Sequence, residues 1–183
     1  MAKRPWPRKL LTALCVGTAL AASALAGAAS VEAAGVGCKL MPNDRGLPGK
    51  ILRCGDSLTV RPAAGAHYRI IRRAEEPLPI GLQLDDGAIL IEFHPTETQK
   101  DFEILTPLAI AGVRGTKWAM EVVKTRTSTL VLDGAVAVTS RRLNEYVVLT
   151  AGQGVDISVG DTTLVQKQWG QARVRALMSR FGE

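Results

Sequence analysis

FEILTPLAIAGVRGTKWAMEV, from Phe102 to Val122, is three short apolar runs separated by one proline corner and one glycine corner. Phe102 and Ile104 alternate with Glu103, the period of a half-buried strand. Thr106-Pro107 makes a corner, because proline fixes its own φ and biases the residue before it away from helix. Leu108 to Ala111 has no polar side, the pattern of a strand covered on both faces. Gly112 and Gly115 flank Val113-Arg114, and glycine adopts positive φ without steric cost. Trp118, Met120 and Val122 then alternate with Lys117, Ala119 and Glu121, which predicts a third strand with the first set buried.

The same grammar extends outward. Leu58 and Val60 alternate with Thr59 and Arg61, and Tyr68, Ile70 and Arg72 share one side of the next run. LQLDDGAILIEF at 82–93 echoes LVLDGAVAVTS at 130–140. Each is expected to be a strand, an Asp-Gly tight turn and a returning strand. Val147 to Leu149, the corner Gly152-Gln153-Gly154, and Val155, Ile157 and Val159 add two more short strands. Short strands punctuated by glycine predict an all-β roll, sandwich or solenoid.

Three pieces in order, TPLAIAGVRGTKWAMEV, TLVLDGAVAVTS and VVLTAGQGVDISVG, resemble the FecR domain family from about Gly87 to about Gly160. The shared features are a Thr-Pro, a Val-Arg-Gly-Thr followed by an aromatic residue, a hydrophobic-Gly-x-Val strand and a late Gly-x-Gly-Val. The resemblance implies a solenoid-like β roll. It also implies a periplasmic signalling or scaffolding module. In familiar members a cytoplasmic sigma-factor-binding segment precedes a membrane helix, and the periplasmic part reads a signal from an outer-membrane transporter. Only nine residues precede the apolar run of this chain, too few for a sigma-factor-binding segment.

The first nine residues carry Lys3, Arg4, Arg8 and Lys9 and no acid, and Leu10 to Ala29 is uncharged and rich in Ala and Leu. Ala24-Leu25-Ala26 and Val31-Glu32-Ala33 both suit a small-x-small cleavage site. Residues 1–33 therefore read as a secretory signal peptide, with an uncleaved membrane anchor as the rival. The chain has a formal net charge of +6. Cleavage after Ala26 removes the four leader cations and leaves +2; cleavage after Ala33 also removes Glu32 and leaves +3. The basicity is thus mostly in the leader and is no argument for nucleic-acid binding.

Cys15 lies inside the leader, so Cys38 and Cys54 remain, an even number in an oxidising compartment, and a disulfide between them is expected. The Pro-, Gly-, Asn- and Asp-rich run from Lys39 to Gly55 reads as turns and irregular backbone. The expected organisation is a disulfide-pinned strap at 34–56, a β domain at 57–165 and a C-terminal amphipathic helix at 166–183. Val174, Leu177, Met178 and Phe181 form the helical stripe, with Arg173 and Arg180 along its flank. The helix is expected to cap the body and hide an edge strand; the rival is a basic contact with a partner or a membrane surface.

No catalytic constellation stands out, and the expectation is a non-enzyme without metal or cofactor. His67 and His94 have no cysteine or histidine beside them, no serine sits in a G-x-S-x-G elbow, and the glycines of AGQGV precede no helix. The candidate binding residues are Arg114, Gly115 and Trp118, since exposed Arg and Trp anchor interfaces. Against that, alternation puts Trp118 with buried Met120 and Val122, and Arg114 has turn carbonyls to satisfy. An exposed sheet edge that accepts a partner strand is a second candidate.

The chain is therefore expected to be a periplasmic or secreted module that binds an envelope protein, the extracytoplasmic part of a sensor or transporter. The alternatives are an envelope glycan (peptidoglycan) binder, or a membrane-anchored signalling regulator if the leader stays. N-terminal sequencing of the exported protein is expected to find a start between Gly27 and Gly35. A start at Met1 or Ala2 in the membrane fraction would make the protein an anchored one.

Overall fold

The computed structural model describes residues 37–183 apart from 75 and 77; the expected leader at 1–33, with Cys15, and residues 34–36 lie outside the described residues. Alternation and glycine punctuation give 13 strands: β1 (Cys38–Pro42), β2 (Lys50–Cys54), β3 (Leu58–Pro62), β4 (His67–Ile71), β5 (Gly81–Phe93), β6 (Phe102–Leu105), β7 (Ala109–Val113), β8 (Thr116–Val123), β9 (Arg126–Asp133), β10 (Ala135–Ser140), β11 (Tyr146–Thr150), β12 (Gln153–Ser158) and β13 (Gln166–Gln168). One short helix, α1 (Gln171–Met178), and a 3-10 turn at Ser179–Phe181 follow.

All 13 strands belong to one hydrogen-bonded sheet, and β5 folds that sheet into two leaves. Its first half pairs with β4 and, in parallel, with β6. Its second half pairs antiparallel with β3 and β8. Leaf I is β1-β2-β3-β5-β8-β9-β12-β13, and leaf II is β4-β5-β6-β7-β10-β11. β11, at the far side of leaf II, returns to touch β9 and β12, so the sheet is nearly closed and barrel-like. The all-β expectation is met. A solenoid is not what the pairing describes: β5–β6 is the one parallel pair among the described strands, whereas stacked coils repeat parallel ones.

The inner residues are the ones alternation selects. Leu58, Val60, Leu82, Leu84, Ile89, Ile91, Phe93, Phe102, Ile104, Met120 and Val131 are buried between the leaves. Phe93 stacks on Phe102 at 5.6 Å between centroids, and Trp118 meets Phe102 edge-on at 6.5 Å, tying leaf I to leaf II across the core.

The Asp-Gly units are not hairpins. Gly87 lies inside β5, where the strand leaves one leaf for the other, and a bulge opposite His67/Tyr68 adds the residue that shifts the inward set from Leu82 and Leu84 to Ile89 and Ile91. Gly134 joins β9 of leaf I to β10 of leaf II, strands that do not pair with each other. Gly115 and Gly152 make the same crossing after β7 and β11. All four have φ between +79° and +86°. Asp-Gly supplies the backbone conformation that a turn needs, but the partner strands decide whether the chain reverses or crosses. The Thr106-Pro107 corner stays within leaf II, where the Thr106 hydroxyl accepts from the Ala109 N–H (2.9 Å) and from the Thr127 hydroxyl (3.2 Å).

Two further expectations are corrected. The strap is a β-hairpin, because the turn-forming residues are confined to 42–49 and the flanks pair in register from Cys38↔Cys54 to Pro42↔Lys50. The Cys38–Cys54 disulfide joins directly opposed residues, and β2 carries the hairpin onto leaf I through β3. The C-terminal segment is helical only from Gln171, since Gln166–Gln168 pairs with β12 as β13.

A Cβ on Gly134 would sit 2.6 Å from the Gly115 carbonyl oxygen, whereas one on Gly46, also at positive φ, would meet nothing within 4 Å. Gly46→Ala is expected to cost about 1 kcal/mol, the left-handed penalty alone. Gly134→Ala is expected to cost about 2 kcal/mol or more, through that penalty plus a backbone clash. Equal shifts in urea midpoint for the two variants would show that the crossing corner is not tight.

Candidate interaction surface

The Val113-Arg114-Gly115-Thr116 corner carries the chain from leaf II to leaf I, and its geometry sorts the three candidate residues. Trp118 is fully buried in the core between the leaves. Its candidacy as a surface anchor is corrected: position 118 shares the inward parity of Met120 and Val122. Gly115 takes φ +79°, and a Cβ there would approach Pro95 Cδ at 3.1 Å. Arg114 stands on the surface, its Nε donating to Asp101 Oδ1 at 2.9 Å, with both side chains well exposed. It pairs with a carboxylate rather than with turn carbonyls. So exposed a pair adds little to stability. The corner therefore presents Arg114 and conceals Trp118.

The outer faces of the leaves differ. On leaf I the register sets Leu90, Ala119, Leu130 and Gly154 side by side across four strands. Leu177, Met178 and Phe181 are buried over this row, with Trp169 beside them. Gly154 leaves room for the indole, since a Cβ there would lie 2.3 Å from Trp169 Nε1. The helical stripe read from the sequence is thus real, but it covers a face rather than an edge, because the row beneath it is apolar and small. Its flanking cations meet acids of the same leaf. Arg173 binds Asp156 through both terminal nitrogens (2.8 and 2.5 Å) and stacks on Trp169, while Arg180 pairs with Glu121. Lys117 reaches Glu92 at 3.0 Å and Glu183 at 2.9 Å. Arg173 and Arg180 are engaged within the molecule and not offered to a partner.

Among the described residues, nothing covers the outer face of leaf II. β7 was expected to be covered on both sides, yet only Ala109, Ala111 and Val113 are buried, while Ile110 and Gly112 face outward. Beside them lie Ala135 and Ala137 of β10 and Tyr146 and Val148 of β11, the last two 70% and 49% exposed. A concavity of about 400 Å³ runs along this face, with Asp101, Glu103 and Arg114 at one end. Sequence reasoning missed this surface. The signal was present in β7, whose lack of a polar side reads equally as two-sided burial.

The family model described as FecR protein matches residues 54–137, from the disulfide cysteine of β2 to Ala137 of β10. These residues are a FecR domain. The domain holds the Thr-Pro corner, the Val-Arg-Gly-Thr crossing and both Asp-Gly units, while the late Gly-x-Gly-Val lies beyond the matched residues. Two crystal structures of a candidate anti-sigma factor from Parabacteroides distasonis ATCC 8503 superpose with TM-scores of 0.56 and 0.54, each at 16% identity. The match covers 78% of this chain and 61% of theirs, so the chain spans less than two thirds of their length. At that identity the likeness is one of fold. No curated protein matches the chain in sequence.

The clamp on leaf I carries a pH signature. Partial burial would raise the Asp156 carboxyl, but hydrogen bonds from Arg173 and Ser128 and the charges of Arg173 and Arg126 outweigh it and hold the group below its ordinary value of 3.8. A depressed pKa contributes stability that is present above the unfolded value and lost as pH falls through the folded one. The urea midpoint is expected to drop below about pH 4. Asp156→Asn should lower the midpoint at neutral pH and flatten that acid-side fall; an unchanged pH profile in this variant would show that the pair contributes nothing.

Proposed function

We propose that this protein is an exported, non-catalytic regulator of envelope signalling, whose FecR domain binds the extracytoplasmic part of a membrane sensor or transporter. The observation that carries the reading is the FecR domain itself, part of a two-leaf body with one outer face bare among the described residues. Export is supported by the Cys38–Cys54 disulfide, a bond that persists in oxidising compartments, and by the leader-like order of residues 1–33. A regulatory role is consistent with the fold-level likeness to a candidate anti-sigma factor. Binding without chemistry accords with what the surface offers: Arg114 at a rim, small and apolar side chains on a sheet, and histidines 67 and 94 both exposed and on different segments. In this scheme residues 1–33 are removed, 57–165 form the working body and the C-terminal helix braces leaf I.

Incubated with solubilised envelope fractions, the mature protein is expected to retain a protein partner saturably. It is not expected to be retained on purified peptidoglycan. Retention on the glycan with no saturable protein would replace this reading with an envelope-glycan binder.

A further inference from the structure

We infer that the bare outer face of leaf II is a docking site for an amphipathic helix of the partner protein, one that brings a Lys or Arg to Glu103. The inference rests on the protein-binding reading above and names the surface and the kind of partner.

The first argument is sequence against burial. β7, β10 and β11 read AIAGV, AVAVTS and YVVLT, with no charged residue among them. An exposed sheet face normally alternates polar with apolar residues. Here both sides are apolar or small, yet only the inner side is covered: Val136, Val138 and Leu149 are buried, while Ala137 and Val148 are exposed.

The second argument is the molecule's own precedent. Leaf I shows what this sheet does with such a row. Leu90, Ala119, Leu130 and Gly154 form a shallow trough that an arginine-flanked helix fills. Leaf II carries a similar row in register, Glu103, Gly112, Ala137 and Val148. Two small residues again make the floor, and Ile110 and Tyr146 rise beside it in the next row. The glycines report occupancy. A Cβ on Gly154 would strike Trp169, whereas one on Gly112 would meet nothing within 4 Å. The first trough is filled and the second is open.

The third argument is charge. On leaf I the helix is held at its flanks by Arg173 on Asp156 and Arg180 on Glu121. On leaf II, Glu103 stands at the end of the row and makes no ion pair among the described residues, while neighbouring Asp101 is already matched by Arg114. A cation on the incoming helix completes the same arrangement. Arg114 lines the same concavity, so it sits at the rim of the docking site rather than at its centre.

Site-specific photo-crosslinking in the producing cells tests this. A photoreactive residue replaces Val148 on the face, and in a control replaces Val123, an exposed apolar residue of leaf I. Position 148 is expected to crosslink to one protein, at a segment that mass spectrometry maps to an amphipathic helix bearing Lys or Arg. Ala137→Glu, and separately Glu103→Arg, should each cut that yield by about tenfold, the effect of roughly 1.4 kcal/mol. Both sites are exposed, so the variants should keep the parent thermal midpoint. Crosslinks from 148 to a second copy of this chain, to glycan or to an extended strand would overturn the inference, as would a yield no higher than from 123. A protein captured at 123 but not at 148 would sink the docking face and leave the protein-binding reading standing. No protein captured from either position would sink both.

Discussion

One strand belongs to both leaves of this protein, and its continuity through a bend sets the rest of the architecture. β5 pairs with β4 and β6 before Gly87 and with β3 and β8 after it, and is flanked on both sides at its two ends. Passing through that point requires an extra residue to reset the alternation and a glycine to take φ +86°. A side chain there would also run into the backbone, since a Cβ on Gly87 would lie 2.7 Å from Ala66 Cα. Because the bend brings the leaves face to face, Phe93, Trp118 and Phe102 can pack as one cluster drawn from both. The other crossings obey the same condition. The corner at Gly134 lies so close to the corner at Gly115 that a Cβ on Gly134 would meet the Gly115 carbonyl oxygen and Thr116 Cγ2, both at 2.6 Å.

The two outer faces show how one kind of surface acquires different roles. A helix of eight residues is marginal by itself, and tertiary packing must hold it. Here it lies on a strip of small and aliphatic residues, with a carboxylate waiting for each arginine at its flanks. The clamp is therefore both apolar and ionic, with Arg173 held at once by Asp156 and by the Trp169 ring. Leaf II has the trough without the occupant. A bare apolar sheet face is an association hazard unless something covers it. That sets the leaf II face apart from the Arg114 corner, where the exposed charges are already matched.

Much of the fold was legible in the residues themselves. Alternation selected the inward sets of β6 and β8 correctly, and the helical stripe Val174-Leu177-Met178-Phe181 marked a packed helix. The even cysteine pair anticipated the disulfide, and the order of turn motifs pointed to the FecR domain that residues 54–137 match. These succeeded because they depend on local period, local backbone conformation or simple composition. The failures share a cause. The Asp-Gly units read as reversals, β7 as doubly buried and the helix as an edge cap. Each of these depends on which distant strand lies alongside.

By itself, then, the chain determined that it would be short strands linked at glycines, with a cross-linked start and a helix at its end. Period, φ preference and cysteine count are properties of neighbouring residues, so they can be read without a structure. Only the tertiary arrangement decided that glycines 87, 115, 134 and 152 cross between leaves, that the helix covers leaf I, and that leaf II is left bare. Those outcomes turn on hydrogen-bond partners and packing between residues far apart in sequence, and no local pattern encodes which face will find a cover.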